Sequence, residues 1–530
     1  DLEDNIDTMK RIFKNIEVKE PEQLINEARK LDQYQKKVLN IAIKYAQDVK
    51  MAMKGKTPFP TAPNLMVHGG AGSGKSTVIR ILSQFVHAIL RSEGDSPDCP
   101  YVLLAAHSGS AASNIDGQTL HTLLSFNFGP SFQSMNDKTR DARRALMSKV
   151  KFLLIDEISL VDPDMLHKID LRLREIKQVD KPFGGIAIFA FGDIMQIKPV
   201  KGSYIMQRPK DPQSALAYEL NSLWHNFDVI LLERNHRQGD DMHYADILNR
   251  IRIGTETDED YEELESRVRD EKHEDILKET DAIYIFYTNE RVNRMNNKRL
   301  KALTTEEINI PAIVLHKTMK NFTPTVTNAG NVTNTPFQLQ LNLKVGARIM
   351  ITYNVDTCDG LANGAIGELI GVIKNSKGEV TTLVIKFEME SIGRQKRRQA
   401  STYISKKFPE GTPIEKCNYP FSVSKSTTAV VKSASIIQFP IKLAFASTAH
   451  KVQGLTIPKP LKAIISTDGV NAAAIVYVML SRVCCLEQLY ILNELDRSKI
   501  YPSPLALAEF TRLHDISLNR RPSDWNREDQ

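Results

Sequence analysis

The sequence predicts an α/β protein in which two parallel-sheet, nucleotide-binding units stand in tandem and a small β domain interrupts the second. Three observations carry that prediction. The octapeptide Gly69-Gly70-Ala71-Gly72-Ser73-Gly74-Lys75-Ser76 is a phosphate-loop pattern lying between an apolar strand and a helix. Apolar runs of strand length alternate with helical periodicity over residues 31–225, and the alternation resumes over 226–300 and 437–515. Over 301–436 it gives way to β-branched residues, glycines and turn signals.

Length and composition allow this plan and exclude others. At roughly 150 residues per domain, 530 residues predict three to four domains and a core that needs no disulfide or metal staple. Hydrophobic residues are 42% and charged residues 25%, which excludes a wholly disordered or fibrous chain. The net charge of +6 permits polyanion binding without establishing it. The longest apolar run, 472–480, is far short of the ~18 residues that cross a bilayer, so no membrane partner is expected. Five cysteines with no C-x-x-C pair predict a reducing, intracellular setting and no zinc ribbon. A first residue that is Asp rather than Met suggests a processed product or a module of something longer.

Along the chain, residues 1–30 read as a helical lead-in, with Met9, Ile12, Phe13 and Ile16 at loose helical spacing. Strands of the first unit are expected at 65–68, 101–106, 152–155 and 186–191, and those of the second at 229–232, 283–287, 443–446, 463–466 and 490–492. The acidic stretch 256–265 and the basic stretch 394–398 read as solvated surface, the basic one also as a phosphate contact. A polar tail is expected over 516–530.

The chemistry gathers at strand ends. Gly70, Gly72 and Gly74 let backbone N–H groups approach phosphate, and the following helix, striped by Val78, Ile81, Leu82, Phe85, Val86 and Ile89, turns its N-terminus to the same place. Lys75 is expected at the β/γ-phosphates of ATP and Ser76 on Mg²⁺, with Thr77 beside them. The apolar run 152–155 ends in Asp156-Glu157, which predicts a second Mg²⁺ partner and a general base that polarises water. Gln196 follows the strand at 186–191 and is a candidate γ-phosphate sensor. Arg237 and Arg482, both assigned to the second unit, are either surface arginines or the cations that stabilise charge where the units meet.

In their order these segments resemble the Pif (petite integration frequency) family of superfamily-one helicases. Leu31-Asp32-Gln33-Tyr34-Gln35 resembles its adenine-reading element, and Ala105-Ala106-His107-Ser108-Gly109-Ser110 with Gly117-Gln118-Thr119-Leu120-His121 its first strand-contacting segment. Leu166, Asp170, Arg172 and Pro182-Phe183-Gly184-Gly185, leading into Gly192-Asp193 and Gln196, resemble the family signature. Asn235-His236-Arg237-Gln238 and Tyr477-Val478-Met479-Leu480-Ser481-Arg482 resemble the two arginine-finger motifs. Thr448-Ala449-His450-Lys451-Val452-Gln453-Gly454 resembles the element coupling DNA to nucleotide. Ala105, Val452 and Lys198 depart from the family's usual residues.

The resemblance implies two RecA-like domains, the second carrying a small β-barrel, and an ATP- and Mg²⁺-dependent enzyme. It implies 5′→3′ movement on single-stranded DNA and unwinding of tailed duplex or G-quadruplex DNA, in replication, repair, recombination or transposition. Gln35 would read the base, Gln453 and Gly454 would adjoin the nucleotide, and Ser108, Thr119, His121, Thr448, His450 and Lys451 would touch the strand. His121 and His450 also read as structural histidines. The family expectation is a monomer on DNA, in the nucleus first and the mitochondrion second, with a Helitron-type replicase-helicase as one parent of such a module. An RNA-directed helicase and a phosphate-loop ATPase uncoupled from nucleic acid stand as alternatives.

Overall fold

The computed structural model describes residues 19–95, 99–126, 131–200, 202–279, 281–316, 324–327, 330–356, 359–422 and 433–519. Residues 1–18 of the expected lead-in, 520–530 of the expected tail, and Cys358 lie outside the described residues.

Six parallel strands form the first sheet. They are β1 (Asn64–Gly69), β2 (Val102–Ala106), β3 (Gln118–Thr119), β4 (Phe152–Asp156), β5 (Ala187–Gly192) and β6 (Asp228–Leu232), in the order β3-β2-β4-β5-β1-β6. The strand period of two decides which core each residue enters. Leu65 and Val67 join Val78, Leu82 and Val86 of helix Lys75–Leu90 and Val38 and Ala42 of helix Gln33–Met53 on one face. Met66, Leu153 and Ile155 join Leu166, Ile169 and Leu173 of helix Pro163–Lys177 on the other. Each such fully buried Val, Leu, Ile or Met side chain contributes about 1.5–3 kcal/mol before entropy is counted.

Two elements depart from the order expected along the chain. The strand at 229–232 is not part of the second unit: β6 pairs with β1, Met66 opposite Val229, and so completes the first sheet. Its apolar run reads the same in either sheet, and only pairing decides. The C-terminal helix Pro504–Asn519, which takes in the first residues of the expected polar tail, leaves the second unit and returns to the first. There Ala506 and Leu513 enter the core, and Glu509 accepts a hydrogen bond from Trp224 Nε1 at 2.7 Å.

The second sheet is also parallel, ordered Ala446–Thr448, Ile283–Phe286, Ala463–Ile465, Leu489–Leu492, Val268–Arg269. Between its strands lies the insert. The strand pairing there gives three antiparallel sheets, the largest running Thr412–Glu415, Val380–Phe387, Ile366–Lys374, Arg348–Ile351, Ile441–Leu443. The expected strand at 443–446 is thus divided, its start in the insert and its end in the parallel sheet. Closure into a barrel is not recorded among the described residues, because the edge strands Thr412–Glu415 and Ile441–Leu443 do not pair. Among the described residues no helix is long and apolar enough to cross a membrane.

Candidate active site

The capping box at the start of helix Gln33–Met53 places Gln35. Asp32 accepts from the Tyr34 and Gln35 amides, and Gln35 Oε1 accepts from Asp32 N at 3.1 Å. Gln35 Nε2 then reaches the phosphate loop, donating to Ser73 O at 3.1 Å. Both ends of this amide hold backbone, which leaves one N–H and one lone pair for a base. Gln35 lines a cavity of about 500 Å³ with Leu31, Gly74, Thr77, Ile81 and His236.

The loop itself leaves β1 at Gly69 and enters helix Lys75–Leu90. Gly72 and Gly74 have φ of +86° and +76°, the left-handed region where only glycine is unstrained. A Cβ on Gly72 would lie 2.5 Å from Arg237 Cβ, and one on Gly74 2.4 Å from Gln35 Nε2. These two glycines therefore let the loop and its neighbours close together. Lys75 Nζ donates to Gly69 O at 2.7 Å and Gly70 O at 2.9 Å, and Ser76 Oγ donates to Asp156 Oδ2 at 3.2 Å.

A second cavity of about 360 Å³ adjoins the first. Gly72, Gly74, Lys75, Ser76 and Thr77 line it from the loop, Asp156 and Glu157 from the end of β4, and Gln196 from the turn after β5. Arg237, Gly454, Arg482 and Cys484 complete the wall. Burial and the adjacent Glu157 charge raise the Asp156 carboxyl to about 7. Burial lowers the Lys75 ammonium, against the pull of Glu157, Asp193 and Asp156. Glu157 has φ +52°, uncommon for a residue with a side chain, and its Oε2 is buried without a hydrogen-bond partner. Gln196 Oε1 is likewise buried and unpartnered.

Arg237, expected in the second unit from its position after residue 226, belongs to the first. It follows β6, the edge strand of the first sheet, and its amide and that of His236 donate to Gly72 O at 3.2 and 2.7 Å. Its guanidinium crosses to Ser481 O at 2.7 Å. Arg482 comes from the second unit, at the end of helix Ile475–Leu480. It is 1% exposed and donates to Val478 O, Leu455 O and Ser481 Oγ at 2.7, 3.0 and 2.6 Å. Burial, with the charge of Arg237 beside it, pulls Arg482 down to about 9, still protonated at neutral pH. Gly70 and Gln453 do not line this cavity. The Gly70 Cα faces Tyr477 and Arg252, and Gln453 Nε2 donates to Ser159 Oγ at 3.3 Å.

Sequence reasoning missed the polar cluster behind the loop. Asp193, fully buried at the end of β5, binds Arg252 Nη2 at 2.8 Å and Nε at 3.1 Å. Burial alone would raise its carboxyl, but Arg252 and His68 hold it well below the usual range. Tyr477 Oη donates to Asp193 Oδ2 at 3.3 Å and accepts from Ala71 N at 3.3 Å. The helix that carries Arg482 is thereby tied to the phosphate loop. The Gly192-Asp193 dipeptide after an apolar strand was the available signal; its arginine partner, 59 residues away, had none.

The strand-contact candidates form two groups, one past the end of each parallel sheet. Ser108 caps helix Gly109–Asn114 by accepting from Ala111 N at 3.2 Å, and Thr119 caps Leu120–Leu123 through Thr122 N. The His121 ring lies 6.1 Å from those of His107 and Phe126, and burial lowers its pKa. In the second unit Thr448 closes strand Ala446–Thr448, the His450 ring lies 6.1 Å from Tyr287, and Lys451 is exposed.

Two parallel sheets, a phosphate loop and an arginine on each side of one cleft define the class of paired RecA-like phosphate-loop folds. Residues 30–262, a little under half of the chain, match the model of the PIF1-like helicase family. An ATP-dependent DNA helicase PIF1 of Emericella nidulans is 26% identical over 494 residues, 86% of this chain and 62% of that protein. Its Saccharomyces cerevisiae namesake is 29% identical over 322 residues, 58% of this chain and 34% of that protein. The chain thus spans between about a third and three fifths of these relatives. A crystal structure of Bacteroides Pif1 bound to single-stranded DNA is 25% identical with a TM-score of 0.64, covering 92% of this chain and 98% of that one. The Candida albicans Pif1 structure, at 22% identity and TM-score 0.64, shares the fold.

Proposed function

We propose that this chain is an ATP-dependent DNA helicase, moving 5′→3′ on single-stranded DNA and opening tailed duplexes or G-quadruplexes. The observation that carries the reading is the 360 Å³ cavity, in which the buried Lys75 and Arg482 and the half-buried Arg237 converge from both sides on Glu157 and Gln196. Three cations face two carboxylates there, Asp156 and Glu157, and a triphosphate supplies the remaining counter-charge. The adenine would occupy the 500 Å³ cavity beside Gln35.

In this reading Lys75 and the loop amides hold the β- and γ-phosphates, and Glu157 accepts a proton from water attacking the γ-phosphorus. Gln196 orients that water, and Arg237 and Arg482 neutralise charge on the phosphoryl oxygens. Ser76 and Asp156 offer the hydroxyl and carboxylate oxygens that Mg²⁺ prefers, and the ion would share the phosphates' charge. Because Arg482 enters from the second unit, hydrolysis and closure of the units are linked. Ser108, Thr119, His121, Thr448, His450 and Lys451 would hold the strand beyond the sheet ends, in a grip that tolerates any sequence. The compartment that fits is one holding DNA, the nucleus first and the mitochondrion second.

The test is unwinding of matched 5′-tailed and 3′-tailed DNA and RNA duplexes with ATP. Opening of the 5′-tailed DNA alone supports the reading. Opening of RNA in preference to DNA, or ATP hydrolysis without unwinding of any substrate, rejects it.

A further inference from the structure

The insert carries a feature that the cleft does not use. Residues 394–407 hold six cations, Arg394, Lys396, Arg397, Arg398, Lys406 and Lys407, and no acid. They fold as two short helices, Arg394–Arg398 and Thr402–Lys407, with Arg394, Arg398, Lys406 and Lys407 exposed. The platform is fixed. Asp359 accepts from the Gln395 and Lys396 amides at 2.8 and 2.9 Å, and Arg397 donates to Ile392 O and Thr412 Oγ1 at 2.5 and 2.9 Å. Phe408 packs over Gly371, where a Cβ would come within 2.3 Å of its ring. Two acids of the insert are engaged elsewhere, Glu388 with Arg348 and Glu410 with Lys386.

The base of this platform adjoins the first unit. Ile392 lines a cavity of about 90 Å³ with Gly109 and Ser110, beside the strand-contact candidate Ser108, and with Gly364 of the insert. A Cβ on Gly109 would lie 3.1 Å from Asn363 O, so insert and first unit meet there backbone to backbone. The exposed cations therefore stand near one group of strand-contact candidates.

From this arrangement we infer that the face bearing Arg394, Arg398 and Lys406 is a second nucleic-acid contact, made with the phosphate backbone of duplex DNA adjoining the bound single strand. A single-strand groove needs open aromatic faces for bases. Here the one exposed ring, Tyr403, has the Lys407 ammonium over it at 5.5 Å and hydrogen-bonded to its hydroxyl at 3.1 Å. Exposed cations with no ion pair among the described residues suit a duplex backbone, which needs neutralisation without base readout.

The inference rests on the helicase reading, and the two fail separately. Arg394→Gln/Arg398→Gln/Lys406→Gln would be compared with the unaltered chain for binding to a single strand and to a duplex bearing that strand as a 5′ tail, across salt concentrations. The expected result is tailed-duplex affinity weakened about tenfold near 0.1 M salt and a salt slope shallower by roughly 2–3, with single-strand affinity and single-strand-stimulated ATP hydrolysis unchanged. Unchanged tailed-duplex affinity, or an equal loss on the single strand, overturns it. Arg398→Glu, one change at an exposed position, gives the same comparison should the triple variant fail to fold. An unaltered chain whose ATP hydrolysis ignores single strands refutes the helicase reading instead.

Discussion

The two parallel sheets share a plan and supply different chemistry. The first presents its groups on short turns after β1, β4 and β5, where the backbone fixes them: the loop glycines, Lys75, Asp156, Glu157 and Gln196. The second contributes one guanidinium, Arg482, at the end of a six-residue apolar helix and held by carbonyls of other elements. On the proposed reading, holding and attacking a phosphate is a local property of one unit, and stabilising the charge that develops is a property of two units together.

The largest effects expected are in the first sheet. Lys75→Ala should lower ATP hydrolysis by about 10³-fold or more, and Glu157→Gln by about 10²–10⁴-fold with nucleotide binding kept, read by steady-state turnover and nucleotide titration. A Glu157→Gln chain that turns over normally would remove the base from the account. In the second sheet, Arg482→Ala should cost about 10³-fold in turnover while single-stranded DNA binding is retained, measured by hydrolysis and fluorescence anisotropy in parallel. Normal turnover in that variant would show Arg482 to be structural and erase the contrast between the sheets.

Smaller effects test the link behind the loop. Asp193→Asn leaves Arg252 buried without its counter-charge and should destabilise the protein by about 3–5 kcal/mol in urea unfolding. The Asp193 carboxyl is held far below its unfolded value of about 3.9, so its stabilisation is complete at neutral pH and is lost as pH falls below that value. Tyr477→Phe deletes only the hydroxyl between Ala71 N and Asp193, worth about 1 kcal/mol. It should reduce DNA-stimulated turnover more than unstimulated turnover; equal reduction would mean that the bridge supports the fold alone.

How much of this was legible in the sequence follows the same division. The loop, the Asp156-Glu157 pair and the alternation of strands and helices are local patterns, and the structure places them where the spacing implies. Pairing is not local. The apolar run of β6 fits either sheet, and the expectation that Arg237 lies in the second unit follows from that ambiguity. Residues 504–515 fall in the expected second unit because nothing in them reveals that Glu509 meets Trp224. Gly70 and Gln453 fit their motifs yet stand behind the cavity wall, since a motif specifies backbone shape and not which atoms face the cleft. The Asp193–Arg252–Tyr477 cluster joins residues up to 284 positions apart and left only the short Gly192-Asp193 signal.

The claim that two units share one triphosphate is tested most directly by ATP hydrolysis with and without mixed-sequence single-stranded DNA, for the unaltered chain and for Arg482→Ala. The account predicts strong stimulation by DNA in the unaltered chain and loss of that stimulation in the variant, with both binding DNA equally well. Hydrolysis indifferent to DNA, or a variant stimulated as fully as the unaltered chain, would contradict it.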